Sequence, residues 1–210
     1  MEHNILPRDK HDFNSVEVLA HLEKSKVIPL LPELLEWLQD MNWPIAPAIV
    51  DLLLKYKVET IPHVKTIFSQ HDSGWIYNIL EHLIKRWDTE FVSSVFSSLR
   101  DLAQSTDNDD DTDLIAIEIL LNNRLIEATD ATTLLERKLN DTEYRLHNFT
   151  AEQKEHFAEL ENERLHILNT SVRQIVNFVK VNNNSLKEKD QYENLLRRYR
   201  EIELLITAKK

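Results

Sequence analysis

The most suggestive spacing of chemical groups in this chain lies in an acidic stretch near its middle, at residues 105–113. Acids stand at positions 1, 3, 5 and 12 of the pattern of a calcium-binding loop, namely Asp107, Asp109, Asp111 and Glu118. Thr112 occupies the position where the sharp turn of such a loop requires glycine. The simpler interpretation is a solvated loop whose Asp113 caps the next helix, and both interpretations stay open.

Tryptophan side chains are the residues best suited to grip a peptide, because they offer a large, rigid contact area. At equivalent positions of a repeat they otherwise fill the space between repeats, and we assign Trp43 and Trp75 to that role. Two tryptophans and two acids in the turns are the candidates for contact with a partner: Trp37, Trp87, Asp40 and Asp72.

No arrangement of residues predicts catalysis. Asp40 and Asp72 could work as an acid–base pair only if the fold brought them together, and fixing two equivalent turns explains both. The nine histidines form no close metal-binding pair, and one glycine, Gly74, cannot build a phosphate-binding loop. We therefore expect a protein that is not an enzyme and has no cofactor.

The composition predicts an all-α fold. One glycine among 210 residues leaves few positions for tight turns, while residues that favour helices dominate. The absence of cysteine excludes disulfides and zinc fingers of the cysteine type. No apolar run reaches the ~18 residues of a membrane span, and the first residues do not resemble a signal peptide, so we expect a cytoplasmic protein without a membrane partner.

Charge is distributed unevenly along the chain. Residues 1–123 contain 21 Asp and Glu against 10 Lys and Arg, whereas residues 124–210 contain 15 of each kind. An acidic first part repels the phosphate backbone of nucleic acids, which makes nucleic acid an unfavourable partner. A basic protein segment is electrostatically easier to bind.

Two segments about 32 residues apart, one around Trp43 and one around Trp75, share the same order of features. Each has a proline, an apolar helix, a polar turn with an acid ahead of a tryptophan, and a second apolar helix. This repeat predicts a short HEAT-like α-solenoid of helical hairpins over residues 1–123. In the repeat around Trp43, we expect Asn42 to cap the second helix and Pro44 to lie in the first turn of that helix.

Residues 124–210 change in character, with charges between apolar residues at heptad spacing. The pattern predicts a helix at 130–147 and a long helix near 150–181 that folds back on a helix near 186–208. Capping boxes are expected at Thr150 and Ser185. The coiled-coil seam consists of Leu165, Leu168, Val172, Ile175, Val179, Tyr192, Leu195, Tyr199, Ile202 and Ile206. Such a short seam must pack on a partner helix, within the chain or in a homodimer through 150–208.

Several short motifs resemble one bacterial family, known as domain of unknown function 5071. They are the segment 30–46, the lead Leu6-Pro-Arg-Asp-Lys-His-Asp12, the step Ile61-Pro-His-Val64 and the turn Asp72-Ser-Gly-Trp75. The resemblance covers about residues 5–121 and implies a compact, cytoplasmic helical-repeat domain. It implies no activity, and it does not extend into residues 124–210.

Together these features favour a non-enzymatic protein-interaction module whose partner is basic or helical. A narrower version is an immunity-type protein that occludes a basic toxin, because opposite fields speed association. The alternatives are a HEAT-like nucleic-acid-binding protein or repair enzyme, and a structural scaffold that assembles through its coiled coil.

Overall fold

The regular elements of the protein are helices throughout the part that its computed structural model describes, namely residues 5–70, 72–106 and 110–207. The fold class predicted from the composition, all-α, is therefore confirmed. In those same ranges every helix is too short or too polar to cross a bilayer.

The chain divides into two compact units, Met1–Ala131 and Thr132–Lys210. The division follows residue 131, whereas the change in sequence pattern suggested a boundary after residue 123. Each unit has its own set of packed helices.

The first unit consists of short helices, several of which continue into a turn of 3-10 or π geometry. In chain order they are α1 (Phe13–His21), α2 (Lys24–Val27), α3 (Leu31–Glu36), α4 (Ala46–Leu53), α5 (Lys57–Phe68), α6 (Ser73–Asn78), α7 (Thr89–Ser93), α8 (Phe96–Gln104) and α9 (Thr112–Asn122). Segments of 3-10 geometry follow α3 at Trp37–Gln39 and α4 at Leu54–Tyr56, and a π-helical segment, Ile79–Leu83, extends α6.

Helices of the first unit pack in sequential pairs and against the next pair. α3 packs against α4, α5 against α6, and α8 against α9. Between pairs, α3 contacts α5, and α6 contacts α9. α9 is buried along most of its length, from Thr112 to Leu120, because α6 and α8 both pack against it. This explains why its sequence is apolar on several faces.

Three helices and part of a fourth form the second unit. They are α10 (Ala128–His147), within which the division falls, α11 (Ala151–Ile167), α12 (Val172–Val181) and α13 (Asn183–Thr207). α11 packs against both α12 and α13. The small core of the second unit is built from Phe157, Leu160 and Phe178, with Phe149 and Tyr192 packed around them.

The long helix predicted for 150–181 is interrupted, and this prediction is wrong. α11 ends at Ile167, and α12 begins at Val172 after a turn at residues 168–171. The backbone N–H of Ser171 donates to the side chain of Gln174 (3.3 Å), as in one half of a capping box. Thr150 and Gln153 form a complete capping box at the start of α11, whereas Ser185 lies inside α13 and starts no helix.

Candidate functional site

Two of the four acids of the calcium-loop pattern, Asp107 and Asp109, lie outside the described residues. Asp111 has a left-handed backbone (φ 52°) and, in place of the expected Asp113, stands at the N-cap of α9. Asp113 lies inside the helix and is buried. In the described part of the chain no three His, Asp or Glu side chains are grouped to hold a metal ion.

Glu118, the fourth acid of that pattern, serves a different purpose. Its carboxylate pairs with the ammonium of Lys85 (2.8 Å), which also pairs with Glu81 (2.7 Å). Burial alone lowers the pKa of Lys85, but the hydrogen bonds that its ammonium donates to these two carboxylates outweigh burial and raise the pKa. Glu118 therefore links α9 to the segment that follows α6, and its role as a calcium ligand stays a prediction.

Of the two tryptophans proposed to contact a partner, Trp87 is buried, with 5% of its surface exposed. It cannot line a binding groove of the folded unit, so that assignment was wrong. Trp75 is also buried, and its indole N–H donates to the carbonyl oxygen of Leu35 (3.1 Å). This hydrogen bond joins α6 of the second helical hairpin to α3 of the first. Trp75 therefore has a packing role between the two repeats.

Trp37 and Trp43 form an aromatic pair at one end of the first helical hairpin. Their ring centroids are 5.2 Å apart, and the planes meet at 70°, an edge-to-face geometry. Both side chains are half-buried. Trp43 therefore packs within its own repeat, and the pair leaves part of its aromatic surface accessible.

The turn acids act on the backbone. Asp40 accepts a hydrogen bond from the N–H of Asn42 (2.9 Å), and Asp72 caps α6 by accepting from the N–H of Trp75 (3.0 Å). Asn42 is exposed and does not cap α4, whose N-cap is Ile45, so Pro44 precedes the helix as well. The turn between α3 and α4 is therefore longer than the sequence suggested, and within it Asp40 accepts the hydrogen bond from the N–H of Asn42.

Asp12, just before α1, is surrounded by hydrogen-bond donors. It accepts from the N–H and guanidinium of Arg8 (3.2 and 3.0 Å) and from the N–H and hydroxyl of Ser15 (3.3 and 2.9 Å). These bonds, that of the Arg8 guanidinium above all, hold the pKa of Asp12 far below its usual range. A carboxylate that is saturated in this way caps α1 and is a poor general base.

The predicted coiled-coil seam is split between buried and exposed positions. Leu195 and Ile202 of α13 are buried, and Tyr192, Tyr199 and Ile206 are half-buried. Leu165 and Leu168 are 52% and 50% exposed at the end of α11 and in the following turn. Leu168 belongs to the turn at 168–171, which separates Leu165 from α12, so the first half of the seam is not continuous.

α12 carries the most distinctive surface of the second unit. Phe178 faces the core, while a second apolar stripe on the same helix is turned away from it. We call this stripe the valine face, and it consists of Val172, Ile175, Val176 and Val179. Val172, Val176 and Val179 are 75%, 59% and 48% exposed, and Ile175 is half-buried.

Two open grooves lie along α12 at the valine face. One, of about 600 Å³, includes Val176, Arg173 and Glu163 in its lining. The other, of about 430 Å³, is lined by Ile175, Val176, Val179, Lys180 and Asn183. An exposed apolar stripe with open grooves along it is a surface onto which a second helix can pack.

The charges around α12 differ from those of the rest of the chain. Residues 164–187 contain four Lys and Arg and no Asp or Glu, in a chain with a net charge of −11. Arg173 and Lys180 are seven residues apart, close to two helical turns, so they lie on one side of α12. We call these two residues the basic edge, and both are exposed and form no ion pair with the residues that the structure describes.

The long seam predicted from the sequence includes Val172, Ile175 and Val179 but not Val176. The missed signal was the Ser171-x-x-Gln174 pattern, which starts a new helix and resets the helical phase. With α12 treated as a separate helix, its four apolar residues fall at i, i+3, i+4 and i+7.

The chain belongs to a known but functionally undefined protein family. The model of the family described as Domain of unknown function (DUF5071) matches residues 5–120. This match confirms the resemblance seen in the sequence motifs. A search of curated proteins finds no match to the chain.

Proposed function

We propose that this protein is a non-enzymatic protein–protein interaction module that binds its partner through the second unit. The observation that carries the proposal is the valine face, three of whose members are about half exposed or more. Burying an exposed valine or isoleucine completely contributes about 1.5–3 kcal/mol. The valine face therefore offers binding free energy that the fold of the unit itself does not use.

We also propose that the first unit is a short HEAT-like solenoid that acts as a scaffold. The sequential pairing of α3 with α4, α5 with α6 and α8 with α9 supports this proposal, as do contacts between neighbouring pairs. Ion pairs between pairs of helices, such as Lys57 with Asp88 (2.6 Å) and Arg86 with Asp51 (2.8 Å), support it as well.

The half-buried Trp37–Trp43 pair supports a second candidate, in which the acidic first unit binds a basic protein segment. An immunity-type or regulatory protein would use such a surface. Aromatic rings that are only partly buried can take up an arginine or lysine side chain, and the acidic surroundings would attract it.

A third candidate is a scaffold that assembles through a second copy of the chain at residues 150–208. The valine face supports it too, since the same stripe on two copies could form one interface. The experiment below separates the first two candidates by the surface that each needs, and the oligomeric state in sedimentation velocity separates the third.

Affinity capture from extracts of the native host, followed by mass spectrometry, tests the proposal with three forms of the full chain. They are the unchanged protein, Val176→Asp and the matched control Val58→Asp. Val176 and Val58 are 59% and 60% exposed on helices of different units, so the two substitutions perturb equally exposed positions. Circular dichroism verifies that all three remain folded.

We expect the unchanged protein and Val58→Asp to retain the same partner, and Val176→Asp to lose it by about tenfold or more, because a carboxylate buried in an apolar contact is costly. Equal retention by Val176→Asp would contradict the proposal. A fourth form, Trp37→Ala, tests the second candidate, and loss of the partner in that form alone would move the binding surface to the first unit.

A further inference from the structure

We infer that the valine face of α12 binds an amphipathic helix whose own apolar stripe is flanked by Asp or Glu. This inference rests on the proposed function and adds the chemistry of the partner. It follows from the spacing of the valine face, from the charge of the basic edge and from the side chains that the surface uses.

The spacing identifies a helix as the occupant. Val172, Ile175, Val176 and Val179 stand at i, i+3, i+4 and i+7, which is the pattern of a helix that packs along another helix. The grooves of about 600 and 430 Å³ along α12 can take the side chains of a helix laid against it. An extended strand would need an open sheet edge, and a helix does not provide one.

Charge complementarity identifies the flanks of that helix as acidic. Arg173 and Lys180 border the valine face on one side and have no acidic partner among the described residues. Glu163 is an acid in the lining of the larger groove, on α11. Acids on the incoming helix would pair with the basic edge two turns apart, as acids and bases do across helix interfaces.

A second copy fits this surface less well. If two copies of α12 packed antiparallel about a two-fold axis, the flanking positions on one side would face their own equivalents. The basic edge of one copy would then face the basic edge of the other. Like charges that face each other across an interface repel, so the valine face favours a partner whose flanking charges are opposite.

A membrane surface also fits less well. Helices that lie in the bilayer interface typically insert Trp, Phe or Leu from their apolar side. The valine face has only valine and isoleucine, which are short, stiff side chains suited to packing between helices. Phe178, the aromatic residue of α12, is buried in the core of the unit.

The test uses the full chain and two designed helical peptides of about 18 residues with fluorescent labels. Both peptides carry leucine at i, i+3, i+4 and i+7, and they differ only in glutamate or lysine at the flanking positions. Fluorescence anisotropy at low salt measures the affinity of each peptide for the unchanged protein, Val176→Asp, Val58→Asp and the double variant Arg173→Glu/Lys180→Glu.

We expect the unchanged protein and Val58→Asp to bind the glutamate peptide about tenfold more tightly than the lysine peptide. The double variant should prefer the lysine peptide, and Val176→Asp should weaken both complexes. High salt should shrink the preference. A reversal of preference is informative even if a single variant is partly unfolded, because both peptides meet the same protein sample.

Equal affinities, or a preference that the double variant leaves unchanged, would overturn the inference. A dimer in sedimentation velocity that Val176→Asp dissociates would assign the valine face to a second copy. Co-sedimentation with vesicles of equal parts phosphatidylcholine and phosphatidylglycerol, lost in Val176→Asp, would assign it to a membrane.

If capture from extract depends on Val176 but the peptides show no charge preference, only the partner's chemistry is wrong; if capture does not depend on Val176, the proposed function is wrong.

Discussion

Trp75 and Trp87, two buried tryptophans of the first unit, differ in the surroundings of the indole nitrogen. The indole nitrogen of Trp75 donates to the carbonyl oxygen of Leu35, whereas that of Trp87 is buried and finds no acceptor among the described residues. A buried polar group without a hydrogen bond destabilises the fold, and its removal is correspondingly cheap.

We therefore predict that Trp75→Phe costs more stability than Trp87→Phe. The first substitution removes the indole hydrogen bond to the carbonyl of Leu35, which adds about 0.5–1.5 kcal/mol to the loss of packing. The second removes an unpaired donor and has only the loss of packing. Urea denaturation of both variants measures the difference, and equal losses would contradict this view of the two indoles.

Glu161 gives the second unit a dependence on pH. Hydrogen bonds from Arg164 (2.6 Å) and Lys189 (2.9 Å) lower the pKa of its carboxyl to about 2. Because this pKa is lower in the folded than in the unfolded chain, the stabilisation is complete above about pH 4.5 and is lost as the pH falls towards 2.

We predict that Glu161→Gln flattens this dependence. Thermal unfolding followed by circular dichroism between pH 5 and about pH 2 should show a smaller loss of midpoint temperature for the variant than for the unchanged protein. Glu159→Gln on the same helix is the control, since 73% of its side chain is exposed. The idea fails if both variants follow the unchanged curve.

At the scale of elements, the sequence was informative about helix content and less informative about helix ends. Low glycine content and apolar periodicity were enough to predict the all-α class, and the family motifs predicted the extent of the matched domain. The break at 168–171 was missed because heptad spacing continues across it from Leu168 to Val172. Four residues of turn replace one turn of helix there, which hides the break from a periodicity analysis.

Burial was also difficult to predict at single sites. Trp87 and Trp37 look alike in sequence, each close to the end of an apolar helix, and only the contacts between helical pairs decide which ring is covered. The prediction that Asn42 caps α4 was wrong for a similar reason. In that turn Asp40 accepts a hydrogen bond from the N–H of Asn42, and the side chain of Asn42 is exposed to solvent.

Capping gives a prediction for α11. Thr150→Ala removes a capping box in which its hydroxyl accepts from the N–H of Gln153 (3.2 Å), and should destabilise the unit by about 1 kcal/mol. Ser185→Ala serves as the control, since Ser185 lies within α13 and should tolerate alanine. Chemical denaturation compares the two, and a larger effect at Ser185 would contradict the helix boundaries.

At the scale of the whole molecule, the excess of acids lies in residues 1–123, the part of the chain that also contains all four tryptophans. Self-repulsion among excess acids destabilises a compact unit, and salt screens it. We predict that sodium chloride raises the midpoint of thermal unfolding observed by tryptophan fluorescence, by about 2–4 °C for each kcal/mol of repulsion relieved. A midpoint that falls with salt would mean that the surface ion pairs outweigh the repulsion.

The central claim is that α12 carries the binding surface of this protein. The most direct measurement is photo-crosslinking in the native host, with a benzophenone amino acid placed in the full chain at Val176, Val58 or Trp37. We predict a specific protein adduct at Val176 and none at Val58 or Trp37. Adducts at Trp37 without one at Val176 would contradict the claim and assign binding to the aromatic pair of the first unit.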